Sequence, residues 1–428
     1  MKYYNKLMEC ADRDVMQGLQ SERLMVLVKK LYQQVPFYKQ KLDEANINPD
    51  TFLGLDELNK LPFTTKKDLR DQYPFGLFAV PTTEIVRIHA SSGTTGKPTV
   101  VGYTQNDLDV WAEVMARSLV SAKVFKDDIV QISYGYGLFT GGMGAHLGSE
   151  RLGAITVPAS TGNTQRQLML MKDFGTTAVC CTPSYAIVMA EQMQKEGYKL
   201  EDFKLKSGIF GAEPWDDKMR NDIEKRLNIE AFDIYGLSEI MGPGVGIECE
   251  AHEGLHIQDD HFLAEIIDPD TLLPVADGTV GELVITTLTK EGIPLLRYRT
   301  GDLTYITHEK CKCGRTTTRI GRIKGRVDDM LIIRGVNVFP SQVQTVLAKF
   351  DELSIHFVIT VSRKGSLDNM KITAELRPGI DVDLADLKKR IQKDMNSMLL
   401  VNSEIELVPP ETIVRSEGKF KRVIDERK

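Results

Sequence analysis

The amino-acid sequence predicts an α/β protein: a large N-terminal domain of mixed sheets with flanking helices and a small strand-rich subdomain, then a small α+β C-terminal domain. Three observations carry that expectation. Between about residues 85 and 240, short β-rich runs alternate with helical patterns, the texture of a largely parallel sheet with crossover helices. Between 255 and 306 the runs are closely spaced and separated by Gly, Pro and Asp turns, as in a small antiparallel sheet or barrel. The remaining C-terminal stretch carries its own helices and strands, as a separate module would. A chain of 428 residues exceeds one ordinary core, and two or three domains are expected.

In chain order, Leu24, Leu27, Val28 and Leu31 fall at helical spacing, and that helix ends before Pro36. Strand-like runs at 85–90 and 100–103 bracket a polar loop. Further strands are expected at 128–134, 154–157, 177–181, 207–210 and 230–234, then at 264–267, 281–287 and 303–306. Ser341 with Gln344 reads as a capping box opening a helix through about Phe350. Runs at 355–361 and 371–376, a helix over about 384–400 and a strand at 405–408 complete the chain. The composition shift places the domain boundary at Val327–Asp328, giving domains 1–327 and 328–428, with the strand-rich subdomain over about 250–310.

Composition excludes several classes. A net charge of −6 with scattered Lys and Arg argues against nucleic-acid binding. No apolar run is long enough to span a bilayer, the first residues lack the apolar core of a signal peptide, and six cysteines make no disulfide framework in a chain this long. Cytoplasmic residence is the expectation.

The most informative stretch is the loop 91–99, Ser-Ser-Gly-Thr-Thr-Gly-Lys-Pro-Thr. Gly93 and Gly96 permit close backbone approach, so that the hydroxyls of Ser91, Ser92, Thr94 and Thr95 can converge on phosphate oxygens, with Lys97 adding a point charge. It is not a Walker A loop, because Ser91 and Pro98 replace the required Gly and Ser/Thr. Taken alone, such a loop is more often a plain polar turn. Three further segments suit an ATP-consuming site. Asp233-Ile-Tyr-Gly-Leu-Ser-Glu239 ends a strand with a ring for a purine face, a hydroxyl and a carboxylate for Mg²⁺. Arg297-Tyr-Arg-Thr-Gly-Asp302 sets a carboxylate where it can accept both ribose hydroxyls. Gly418-Lys419 places a lysine after a glycine near the C-terminus. Each has a bland reading as a turn, a salt-bridge patch or a solvated tail.

In this order the segments resemble the adenylate-forming superfamily of acyl-CoA synthetases, adenylation domains and luciferases. The strings YGYGLFTGG (134–142), GIFGAEPW (208–215), LLRYRTGDL (295–303) and GRVDDMLIIRGVNVFPSQV (325–343) are similar to those of its phenylacetate–CoA ligase branch, and the resemblance runs from about residue 20 to the C-terminus. Two departures stand out. Ser238 replaces the usual Thr, and extra residues separate Pro410 and Thr412 from Gly418-Lys419.

The resemblance implies an ATP-dependent acid–CoA ligase working through an acyl-adenylate, with ATP, Mg²⁺ and coenzyme A. Loop 91–99 would steer the β- and γ-phosphates, Glu239 would assist Mg²⁺ and Ser238 would bond near the α-phosphate. Gly211, Ala212, Glu213, Asp233, Ile234, Tyr235 and Gly236 would frame adenine, with Asp302 and Arg326 at the ribose. Lys419 would bridge substrate carboxylate and α-phosphate. The small domain would be mobile, pivoting about Asp328, and a pantetheine channel would pass Gly335 and Val336. Tyr136, Phe139, Gly141 and Ala212 would form the acid pocket, two rings with little neighbouring bulk suiting a flat arylacetic acid. The resemblance also allows a homodimer. Two rivals remain: an aryl-acid adenylating enzyme with a carrier-protein or other acceptor, and a nucleotide-binding regulatory protein without turnover.

Cys311-Lys-Cys313-Gly resembles half of a zinc knuckle. Cys249 and His256 would complete a closed, structural Cys₃His site, with His252 the competing imidazole. Two reduced structural cysteines are the plain alternative.

Overall fold

A computed structural model of the protein describes residues 2–91, 98–327, 331–333, 336–364, 367–399, 401–414 and 422–427. Helices α1 to α4 (Lys6–Glu9, Arg13–Gln34, Pro36–Glu44, Lys66–Asp71) open the chain. In α2 the expected apolar face, Leu24, Leu27, Val28 and Leu31, is fully buried. It stops at Gln34 because Val35, preceding a proline, is extended, while Pro36 sits at the start of α3, where its missing N–H costs nothing.

A two-stranded hairpin, β1 (Arg87–Ser91) and β2 (Thr99–Tyr103), brackets the glycine-rich loop. The core of the large domain is a nine-stranded sheet. Its parallel part consists of β3 (Ile129–Ile132), β4 (Ile155–Val157), β5 (Ala178–Cys181), β6 (Ser207–Gly211) and β7 (Glu230–Leu237), ordered β7-β6-β5-β3-β4. Helices α5 (Gln105–Ser121) and α6 (Thr140–Leu152) cover one face; α7 (Thr164–Phe174), α8 (Pro183–Lys195) and α9 (Asp217–Leu227) cover the other. The helix α6 packs close to α5 because of its glycines. A Cβ at Gly144 would lie 2.6 Å from the Trp111 ring, and one at Gly148 would lie 2.3 Å from Met115 Cβ.

Beyond β7 the sheet turns antiparallel through β8 (Gly242–Glu248) and β9 (Leu255–Ile257). The strand-rich region is no barrel. Strands β10 (Phe262–Ile267), β11 (Gly281–Thr287) and β12 (Tyr298–Thr304) form a four-stranded sheet with β15 (Gly325–Arg326), whereas β13 (Ile306–Thr307) and β14 (Arg319–Ile320) extend the large sheet beside β9. The single strand expected at 303–306 is therefore two, divided at Tyr305 where the chain passes between sheets.

The C-terminal residues build a separate apolar cluster, centred on Val338, Phe357, Ile359, Ile372, Leu387, Ile391 and Ile405. It comprises the hairpin β16 (Leu331–Ile333) and β17 (Val336–Val338), helices α10 (Pro340–Leu347) and α11 (Leu384–Leu399), and a sheet ordered β20-β19-β18-β21. These last strands are β18 (Leu353–Lys364), β19 (Leu367–Leu376), β20 (Ser403–Val408) and β21 (Val423–Asp425). The expected Ser341–Gln344 capping box does not form. Pro340 starts α10 two residues earlier, and Gln342 Oε1 instead accepts from the Phe339 N–H at 2.9 Å, since proline is pre-organised for a first helical position. The two bodies meet where Lys218 Nζ pairs with Asp351 at 3.1 Å and donates to Phe350 O at 3.1 Å. Ile355 packs there against the cluster of α8 and α9. Among the described residues no helix is long and apolar enough to cross a membrane.

Candidate active site

Ligand crevices of open α/β sheets lie at the carboxyl ends of the parallel strands, and here those ends carry the sequence-predicted residues. Gly211 ends β6, and Ala212 and Glu213 follow it; Ile234, Tyr235 and Gly236 close β7; Ser238 and Glu239 come just after it. The hairpin brings Ser91 to the same place, its Oγ donating to Glu239 Oε1 at 3.3 Å. Thr140, opening α6, lies 3.1 Å from Ser238 by their hydroxyl oxygens. The remaining loop residues Ser92, Gly93, Thr94, Thr95, Gly96 and Lys97 lie outside the described residues, as do Asp328, Gly335 and Lys419.

Glu239 is buried, and its backbone is held by a residue the sequence reading missed. Lys290 Nζ donates to the carbonyls of Glu239 at 3.2 Å and Ile240 at 2.7 Å, with the Tyr103 ring 4.8 Å away. Burial pushes this amine down to about 8, against the opposing pull of Asp107 and Glu239. The available signal was a lysine closing the otherwise apolar and hydroxyl-bearing run 283–290.

Asp302 receives partners from two strands. The Tyr235 hydroxyl donates to its Oδ2 at 2.6 Å, and Arg326 pairs with Oδ1 from the position directly opposite Asp302 on β15. Arg326 Nη2 also donates to Thr300 O at 3.1 Å. Burial, and then the Asp302 charge, raise the Tyr235 phenol well above its ordinary value, so it stays a donor. The carboxylate is thus pre-oriented, charge-assisted on both oxygens.

Near the adenine stretch, Glu213 Oε1 accepts from the Ser184 N–H at 2.6 Å. Ala212 is left-handed, with φ of 71°, a conformation costly for a residue with a Cβ. A Cβ on Gly211 would meet Ile234 O at 2.3 Å, so only glycine permits that close approach of β6 to β7. Burial, then the neighbouring Glu248, push the Asp233 carboxyl up.

In the expected acid pocket, the Tyr136 hydroxyl lies 3.2 Å from His146 Nδ1, and His146 Nε2 pairs with Glu150 at 3.0 Å. His146 was not anticipated. Gly141 leaves the Tyr134 ring 3.6 Å from where its Cβ would be. Phe139, by contrast, is 55 % exposed at the start of α6, so Tyr136 is the better enclosed of the two rings. Val336 lies on β17, paired with Ile333.

Away from the crevice, Cys249, His256, Cys311 and Cys313 converge, their ligand atoms all within 4.8 Å of one another. His252 is turned elsewhere, bonded to Arg220 and 3.4 Å from Glu230.

Hydroxyls, carboxylates and an aromatic ring gathered at the carboxyl edge of a parallel sheet, with a second α+β body docked on the same domain, are the layout of adenylate-forming enzymes. The AMP-binding enzyme model matches residues 20–289, and the AMP-binding enzyme C-terminal domain model matches residues 335–427. The chain is 50% identical to a phenylacetate-coenzyme A ligase of Thermus thermophilus, over 99% of this chain and 100% of that one. It is 49% identical to a phenylacetate-coenzyme A ligase of Escherichia coli, over 98% and 97%. Among solved structures, a 2-hydroxyisobutyryl-CoA ligase in the postadenylation state, in complex with 2-HIB-AMP, matches with TM-score 0.93 and 28% identity, over 100% of this chain and 93% of that one. The same ligase in the thioesterification state, with 2-HIB-AMP and CoA, matches over the same shares with TM-score 0.75 and 28% identity. The chain belongs to the AMP-binding enzyme family, in its phenylacetate–coenzyme A ligase branch, and is an AMP-forming acid–CoA ligase.

Proposed function

We infer that the chain activates an aromatic, phenylacetate-like carboxylate. The acid's oxygen attacks the α-phosphorus of ATP, giving an acyl-adenylate and expelling pyrophosphate; the CoA thiol then attacks the acyl carbon, forming the thioester, releasing AMP and giving up its proton. The observation that carries this reading is near-full-length identity of about half with phenylacetate-coenzyme A ligases, together with the Tyr235–Asp302–Arg326 clamp. The first step brings two anions together, so preorganised charge is what lowers its barrier most. Asp302 would accept the ribose hydroxyls, Ser238 would bond near the α-phosphate, Lys97 and Lys419 would supply positive charge, and Tyr136 with Gly141 would shape the acid pocket. Glu239 and Ser91 are hard oxygen donors of the kind Mg²⁺ takes, and they lie side by side. When bound, that ion would neutralise phosphate charge.

The reading also includes a structural Zn²⁺ at Cys249, His256, Cys311 and Cys313, a domain boundary at Val327–Asp328 and residence in the cytoplasm. The better match to the neighbour's postadenylation state than to its thioesterification state supports a small domain that reorients about Asp328, with CoA entering past Gly335 and Val336.

A panel of aromatic and aliphatic acids tests the proposal by pyrophosphate release and by thioester formation. Pyrophosphate and thioester are both expected with arylacetic acids. Pyrophosphate without thioester would replace CoA with another acceptor, and neither product with any acid would leave a nucleotide-binding protein.

A further inference from the structure

The cysteine cluster lies outside the reaction chemistry, and its surroundings say what a metal there would do. Its two halves come from the turn after β8, with β9, and from the loop between β13 and β14. Sheet pairing of Arg319 with His256 stitches these halves together. All four residues are at most 3 % exposed. The three cysteines form a cluster of their own, with Ala251 the one partly buried apolar residue packed against them among the described residues, which is little apolar surface for core packing to explain three thiols and an imidazole in one place.

Two of the donor spacings match the edges of a zinc tetrahedron, and all four donor atoms lie within 4.8 Å of one another. Zinc bonds of about 2.3 Å to sulfur and about 2.0 Å to nitrogen imply sulfur–sulfur edges of about 3.8 Å and sulfur–nitrogen edges of about 3.5 Å. Cys249 Sγ lies 3.6 Å from Cys311 Sγ, and Cys313 Sγ lies 3.4 Å from His256 Nε2. A disulfide would need about 2.05 Å and would leave one thiol over. The outer partners fit as well. His256 Nδ1 is 2.9 Å from Thr317 Oγ1, which leaves Nε2 as the ligand atom, and the Arg315 N–H donates to Cys313 Sγ at 3.4 Å. Three thiolates and one imidazole suit Zn²⁺ and fill its four positions, so the ion would be structural.

The loop that carries Cys311 and Cys313 is also the floor on which the N-terminal segment rests. The Tyr3 hydroxyl donates to Cys313 O at 2.9 Å, and Arg315 Nε donates to Glu9 Oε2 at 2.8 Å. Thr316 donates through its N–H to Glu9 O at 3.1 Å and through its hydroxyl to Ala11 O at 2.6 Å. These bonds require residues 313–316 to hold one conformation; Thr318 is tied to Ile257 and Asp259, and an ion on the flanking thiolates would fix the stretch before it.

We propose that one Zn²⁺ per chain fastens the 311–317 loop to β9 and thereby anchors the N-terminal segment, residues 2–11. This rests on the zinc reading above, and the experiment separates the two. Elemental analysis is run on protein purified without added metal or chelator, and hydrogen exchange of residues 2–11 is followed in the intact enzyme before and after zinc removal by a chelator. The expected result is about one zinc per chain, with exchange of the segment rising at least tenfold on removal and restored by zinc alone. Zinc present with exchange unmoved by its removal would overturn the anchor and keep the site. Substoichiometric zinc, iron in its place, or zinc unchanged in Cys311→Ser/Cys313→Ser would overturn the site itself. Should that double variant fail to fold, Arg315→Met decides the anchor: it leaves the four ligands, so zinc should stay at one per chain while the segment exchanges faster. A segment as protected as in the parent protein would reject the proposed route of anchoring.

Discussion

Lys290 is a cation with no surface to retreat to. Its ammonium spans the carbonyls of Glu239 and Ile240, so it sets the backbone from which the Glu239 carboxylate projects. Lys290→Met would leave two buried carbonyls without their donor, a loss of roughly 1–3 kcal/mol. Steady-state kinetics should show kcat/KM for MgATP falling roughly 10- to 100-fold on that scale, with the KM of the acid little changed. The same amine gives a stability signature. Burial holds it down to about 8 in the folded chain, against 10.5 as the ordinary value. Across that window the unfolded chain keeps a proton that the folded chain has released, so this group's contribution to stability rises with pH. Denaturant unfolding at several pH values should show that rise in the parent protein and lose it in Lys290→Met.

At the scale of elements, the helix α6 shows how a glycine-rich string becomes architecture. Gly144 and Gly148 let α6 press against Trp111 and Met115 of α5, and the N-terminal Thr140 then reaches Ser238. Gly144→Ala would put a methyl group 2.6 Å from the Trp111 ring and 2.7 Å from Pro243. Overpacking of that kind costs about 1–3 kcal/mol, and it should lower the melting temperature and loosen the Thr140–Ser238 contact. Gly18→Ala in α2 should do the opposite. Nothing lies within 4 Å of that Cβ, the site is exposed, and alanine in a helix is better than glycine by roughly 0.5–1 kcal/mol. Thermal unfolding of the two variants should therefore shift in opposite directions.

For the molecule as a whole, the proposed reorientation would have one small domain serve two geometries in turn. Lys419, carried by that domain, is expected to act in adenylation alone. Lys419→Ala should slow pyrophosphate release by roughly 10²–10³-fold, the scale of one preorganised charge, while thioester formation from supplied acyl-adenylate is nearly unaffected. Equal losses in both half-reactions would remove the lysine from that role. The docking contact is a separate matter. Asp351 is largely exposed, so solvent screens its pair with Lys218 and little binding energy resides there. Lys218→Ala should change adenylation only a few-fold, and less again at high salt.

Much of this was legible in the linear string. The parallel strands were found because apolar periodicity is a local record of which face is buried, and the α2 face and β11 emerged where expected. The crevice residues were legible by residue type: Ser91 beside Glu239, and Tyr235 beside Asp302, are hydroxyls and carboxylates set at strand ends by glycine turns. What periodicity cannot record is which distant strands become neighbours. Lys290 reaches Glu239 across 51 positions, and Arg326 faces Asp302 only because β15 pairs with β12. His256 rather than His252 faces the thiols because β9 pairs with β14, while Arg220 and Glu248 draw His252 away. The split of the strand at Tyr305 has the same origin: local propensity allows a strand through 303–306, but the two sheets compete for its backbone hydrogen bonds. Local chemistry thus determined the elements and the kinds of groups available, and the order of strands in the sheets decided which of those groups meet, since hydrogen bonds and ion pairs act over a few ångströms and not along the chain.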